Sequence, residues 1–325
     1  RPPVTESRSR PTLSTWGFVL AIPLVGLSIF ALGLLARAGL SDGGDRSIAL
    51  GFFGLGVVGI AVVAYLSRGR WWPEVEATLE RHAEHLDNLP VERLGRWIAM
   101  AAGVGLFAEL TVIRVHASFF QFFAYFKNVT LLACFLGLGL GYALGRQRNI
   151  GTPLFLPLLA IQVALLYLLR SFTLAPLLQN PVMEQLTMGY KQFSSLLDVA
   201  VVYGFLVFIF SSTALTFLPL GQLASRLMSR TERLPAYGAN LAGSLGGILL
   251  FHVFAVFWTS PALWLAATAV GLLPFFIQRR ALLVGGVASV MLLALLSWSP
   301  DPLRTDIYSP YQILTLSQRR DTTPV

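Results

Sequence analysis

Apolar residues in this chain come in long unbroken runs, and the short segments between them hold nearly all of the charge. A helix rises about 1.5 Å per residue, so about 20 apolar residues cover the roughly 30 Å of a bilayer's hydrocarbon core. Nine runs reach that length, over approximately 15–36, 47–67, 97–119, 128–145, 152–170, 197–219, 237–258, 260–278 and 281–298. The pattern predicts an all-α fold, a polytopic transmembrane helical bundle of about nine spans. Between the second and third runs lies a charged segment, Trp72 to Arg96, in which Val75, Leu79, His82 and Leu86 recur on one helical face among Glu and Arg. Pro73 suits the first turn of such a helix. The segment is expected along the bilayer surface, with Trp71 and Trp72 as interfacial anchors. A second candidate surface helix follows Asn180 and Pro181 and carries Val182, Leu186 and Phe193.

These runs divide the chain into the first two spans (1–70), an amphipathic surface helix (71–96), a transmembrane bundle (97–299) and a tail (300–325). Composition agrees: 55% of the 325 residues are hydrophobic, 12% are charged, and the mean hydropathy is +0.68. The net charge of +8 does not point to nucleic acid, because the basic residues cluster between apolar runs, as loops beside a membrane do. Placing the N-terminus on the cytoplasmic side puts fifteen basic residues inside and six outside, before the tail. That bias predicts a multi-pass protein of a bacterial inner membrane with a cytoplasmic N-terminus. Nine crossings would then leave the tail outside. The single cysteine, Cys134, lies within an apolar run and excludes a disulfide framework or a thiol-based metal site.

Gly137, Gly141 and Gly145 form a doubled GxxxG, and Ala239, Gly243 and Gly247 repeat the spacing in a later run. Such stripes let helix backbones approach closely, within one chain or across a homo-oligomer or a larger membrane complex. The sequence from Gly54 to Gly59 fits a dinucleotide fingerprint, but it is embedded in a continuous apolar run, without the strand and turn that the motif needs. Asn128 opens a glycosylation sequon at a span boundary, and Asp198 suits a cap at the mouth of the sixth run.

The third run holds the more informative residues. Glu109 falls about 18 Å into a helix starting near Trp97, close to the bilayer midplane, where an ionisable group is a functional candidate. His116 returns to nearly the same face two turns later, while Arg114 lies about 140° round and is placed to snorkel to the far end. Glu109 is expected to face other helices and to meet a polar partner such as Asn240, Gln162 or His252. Structural bonding, ligand binding and proton handling all remain open for it. Signatures of zinc hydrolases, nucleotide-binding loops, nucleophile elbows and arginine-rich voltage sensors are absent, so no catalytic residue and no metal ligand is assigned.

Two stretches resemble the membrane-embedded branch of the spermidine synthase family, in which a multi-span domain precedes an aminopropyltransferase-like domain. From Gly105 to Gly145, Glu109 and Arg114 are followed by a glycine-rich span with Gly137, Gly139 and Gly141; from Tyr237 to Gly247 runs a pattern of tyrosine, asparagine (Asn240) and spaced glycines. A third piece, Tyr308-Ser309-Pro310-Tyr311-Gln312-Ile313, is similar to the opening strand of the aminopropyltransferase domain. The resemblance covers roughly 97–325, with residues 1–96 as an addition to the family pattern. It implies that Tyr311 and Gln312 contact a nucleoside donor, decarboxylated S-adenosylmethionine or a relative, once a complete soluble domain follows. The glycine-rich donor loop and catalytic aspartate of that domain are not among these residues, so no cofactor and no activity is expected of residues 1–325 alone. A cytosolic donor further implies an inside tail and an even number of spans. A transporter or channel for a small cation or polyamine, with Glu109 as its midplane anion, is the first alternative; a structural subunit of a larger membrane complex is the second.

Overall fold

The computed structural model describes residues 68–119, 123, 127–171, 196–276, 304–308 and 313–317. Among these are seven α-helices: α1 (Arg68–Asp87), α2 (Leu94–Phe119), α3 (Lys127–Leu144), α4 (Phe155–Ser171), α5 (Leu196–Met228), α6 (Arg233–Val256) and α7 (Pro261–Leu272). Two short strands, β1 (Arg304–Tyr308) and β2 (Ile313–Ser317), pair antiparallel in the tail, so the described chain is helical apart from this hairpin. Three helices, over Val91–Ser118, Tyr203–Met228 and Arg233–Val256, are long and apolar enough to cross a membrane; the apolar helices over Asn128–Leu144, Thr152–Val163 and Pro261–Phe275 are shorter. The runs expected over 15–36, 47–67 and 281–298, the Gly54–Gly59 stretch and the second surface helix after Pro181 lie outside the described residues.

Glycine decides which helices touch. A Cβ on Gly137 would collide with the backbone of Ala214, one on Gly141 with Leu218 and Gly221, and one on Gly145 with Ser225, so α3 lies backbone to backbone on α5. In the same way Gly243 lies against Ala99 and Gly247 against Gly103, which seats α6 on α2. Close approach of this kind maximises dispersion contact where lipid supplies no hydrophobic force between helices. In both pairs the contacts advance in the same direction along the two chains, so α2 and α6 are parallel, as are α3 and α5. Both glycine stripes are therefore filled by helices of the same chain. Helix α7 joins through Gly271, which meets Val104, and through the aromatic cluster of Phe107, Phe251 and Trp264.

The parallel pairing brings the start of α2, the end of α3, the start of α4, the end of α5 and the start of α6 to one end of the bundle. Helix α1 docks there. Its face of Leu79, His82, Ala83 and Leu86 is buried, and Ala83 and Leu86 share a core with Ile98, Leu156, Leu223, Leu227 and Phe276. Leu79, His82 and Leu86 of the expected amphipathic face are thus covered by protein. The element also begins and ends earlier than Trp72–Arg96, because a turn at Val91–Arg93 leads into α2, and Pro73 falls inside the helix, not in its first turn.

Among the described residues, helices α3 and α6 present apolar surface. Leu132, Phe135, Leu136 and Leu140 of α3, and Leu241, Leu245, Leu249 and Val253 of α6, are exposed, while Glu109, His116, Gln162, Thr213 and Gln222 are buried. A domain that keeps polar groups inside and presents large apolar side chains outside is matched to an apolar solvent.

Candidate functional site

Helix α2 carries three of the residues singled out by the sequence and sends them two ways. Glu109 is 1% exposed, and neither carboxyl oxygen has a hydrogen-bond partner among the described residues. The buried thiol of Cys134 on α3 lies within its electrostatic reach, and α2 and α3 pack along a common seam. Seven residues on, His116 is also buried in that seam, its Nδ1 3.2 Å from Thr130 Oγ1 and its ring against Phe123. Arg114 turns toward α7, where its guanidinium sits 5.0 Å from the centre of the Trp264 ring. That cation–π contact keeps the charge at the protein. Glu109 and His116 therefore share a seam, as their seven-residue spacing predicts, and Arg114 does not.

The expected polar partners of Glu109 lie elsewhere. Asn240 is at the α1 end of the bundle, where Tyr142 donates to its Oδ1 at 3.4 Å, and His252 is exposed. Gln162 points across to α5, donating to Thr213 Oγ1 at 2.5 Å and Ser212 Oγ at 3.4 Å, with its own Oε1 buried and unpartnered among the described residues. This cluster and Glu109 occupy a common depth. Thr213 is adjacent to Ala214, which lies against Gly137, and Cys134 precedes Gly137 by three residues, about 4.5 Å along α3. A polar layer thus crosses the bundle interior: Glu109 on α2, Cys134 on α3, Gln162 on α4, and Ser212, Thr213 and Thr216 on α5. Gln162 reads in the sequence as one polar residue in an apolar run; the hydroxyls of α5 give no comparable signal, since Ser and Thr are common in spans.

A second polar centre holds α1 in place. The Arg226 guanidinium grips the Asp87 carboxylate with two hydrogen bonds, the Nε one 2.7 Å long, and its Nη1 donates to the Gln147 carbonyl at 3.1 Å. Arg230 donates to the carbonyls of Leu86 and Leu89 at 2.6 and 2.8 Å, filling acceptors that a helix C-terminus leaves open. Arg148 pairs with Glu80 at 3.2 Å, and Asn149 donates to Glu76 at 3.2 Å. Nearby, Gln222 Oε1 accepts from the Gly151 N–H at 2.8 Å and ties the start of α4 to α5. No grouping of three or more His, Cys, Asp or Glu side chains that could hold a metal ion occurs among the described residues.

In the tail, Tyr308 of β1 pairs with Ile313 of β2, so residues 309–312 join the two strands. Of the Tyr308–Ile313 stretch expected as an opening strand, Tyr308 closes β1 and Ile313 opens β2, and residues 309–312 lie outside the described residues. Tyr311 and Gln312 themselves lie outside the described residues. No family model, no curated protein and no solved structure matches this chain.

Proposed function

We propose that the helices form a membrane domain that anchors an aminopropyltransferase-like domain of the spermidine synthase type, with the α1 end of the bundle in the cytosol. The observation that carries the second half of this reading is the β1–β2 hairpin. It follows the last apolar run and brackets the Tyr311–Gln312 pair that the family resemblance assigns to the donor nucleoside. A hairpin is too small to be stable alone, so it fits the edge of a larger β-containing domain. The apolar exterior and polar interior support the membrane half, and Arg81, Arg93, Arg96, Arg146, Arg148, Arg226, Arg230 and Arg233 all collect at the α1 end, as a cytoplasmic face does.

Aminopropyl transfer needs a bound sulfonium donor, a positioned amine and a base for its proton. Gln312 has an amide that offers both a donor and an acceptor to a nucleoside. Calorimetry of the full-length protein with decarboxylated S-adenosylmethionine tests the reading. Binding that weakens about tenfold in Gln312→Ala, as loss of one polar contact implies, supports it. Absence of binding, unchanged affinity in the variant, or turnover by residues 1–325 alone would overturn it.

A further inference from the structure

A carboxylate near the middle of a membrane costs at least about 2.5–3.5 kcal/mol, and it persists where something compensates its charge. Glu109 has no such compensation from the described side chains. The described groups around it supply no positive charge: Cys134 lies within its electrostatic reach on α3, Gln162, Ser212, Thr213 and Thr216 share its depth on α4 and α5, His116 lies two turns along α2 and is engaged with Thr130, and the Arg114 guanidinium stacks on Trp264. The groups in this layer without partners among the described residues are acceptors: both oxygens of Glu109 and Oε1 of Gln162. Buried acceptors of this kind require a donor or a cation to offset their desolvation.

We propose that Glu109 is the anionic ligand of a small monovalent cation, a proton or a sodium ion, held in the polar layer between α2, α3 and α5. Unmatched acceptors select a positively charged or hydrogen-donating occupant over an anion. The tight helix contacts around the layer, where Gly137 admits no Cβ beside Ala214, select a small one. This site goes beyond the anchoring role and needs no nucleoside, so the two readings fail independently.

The test uses dicyclohexylcarbodiimide, an apolar reagent that adds a protonated carboxyl across one of its C=N bonds and leaves a stable acylurea after rearrangement. The full chain is treated in detergent or proteoliposomes, and labelled peptides are identified by mass spectrometry. Glu109 is expected to label, with the adduct absent in Glu109→Gln. If sodium is the occupant, sodium chloride at about 100 times its dissociation constant slows labelling about 100-fold relative to choline chloride. If a proton is the occupant, sodium has no effect and labelling slows about tenfold for each pH unit above the group's titration point. No label on Glu109, or a rate that responds to neither sodium nor pH, would overturn the proposal. These arms use the wild-type protein, so they stand even where Glu109→Gln fails to fold.

Discussion

His82 shows what burial does to one titratable side chain at the edge of the bundle. It lies on the covered face of α1 with its ring centre 6.3 Å from that of Phe276, and neither nitrogen has a partner among the described residues. Burial pushes its pKa down from 6.5 to about 4, and the nearby His85 adds to the shift. The folded value is the lower one, so the unfolded chain takes up the proton first as pH falls. Stability is complete above pH 6.5 and drains away down to about pH 4, by at most roughly 3 kcal/mol. His82→Leu should remove that part of the acid sensitivity. Unfolding midpoints measured across this window check it, and an unchanged pH slope in the variant would contradict the assignment. The sequence already put His82 on the apolar face of a helix; what it did not reveal was the cover, because Phe276 lies far along the chain. Glu109 was legible in the same partial way. Its depth follows from counting residues, whereas its lack of a partner among the described residues depends on where Asn240, Gln162 and His252 end up.

At the scale of helices, glycine spacing was legible and pairing was not. The GxxxG period identifies a face that wants close contact, but nothing in the period names the helix that fills it. Here α5 answers α3 through Ala214, Leu218 and Gly221, and α2 answers α6 through Ala99 and Gly103. Replacing Gly141 by Val should destabilise the fold by about 3 kcal/mol or more, since backbone stands where the new side chain must go. Gly139→Val is the matched control: a Cβ there meets nothing within 4 Å. Thermal unfolding of the two variants in detergent should differ sharply, and equal midpoints would argue against the α3–α5 contact. The docking of α1 was hidden for a similar reason. Its amphipathic face suited a lipid surface as well as a protein one, and Arg226 and Arg230, which decide between them, lie at the end of α5 and in the turn after it, much later in the chain.

For the whole molecule, the alternation of helix directions and the collection of arginines at one end lead to a direct topological expectation. In a variant without Cys134, a cysteine placed at position 81, on the exposed side of α1, should react with an impermeant thiol reagent only in inside-out vesicles. Reaction from the outer face would reverse the proposed orientation. The parallel pairing also has a consequence for biogenesis. Neighbouring spans that form hairpins can pack as soon as both have entered the bilayer, yet α2 and α3 each have their glycine-lined partner later in the chain. When α2 is inserted, Ala99 and Gly103 face a helix that the ribosome has not begun, and they wait until α3, α4 and α5 have followed. During that interval the buried polar layer is incomplete, and Glu109 has neither α5 beside it nor the hydroxyls that α5 brings. In a membrane domain of the kind proposed, a chain stalled after α4 would therefore leave an acidic side chain and the small-residue faces of α2 and α3 without the helices that cover them.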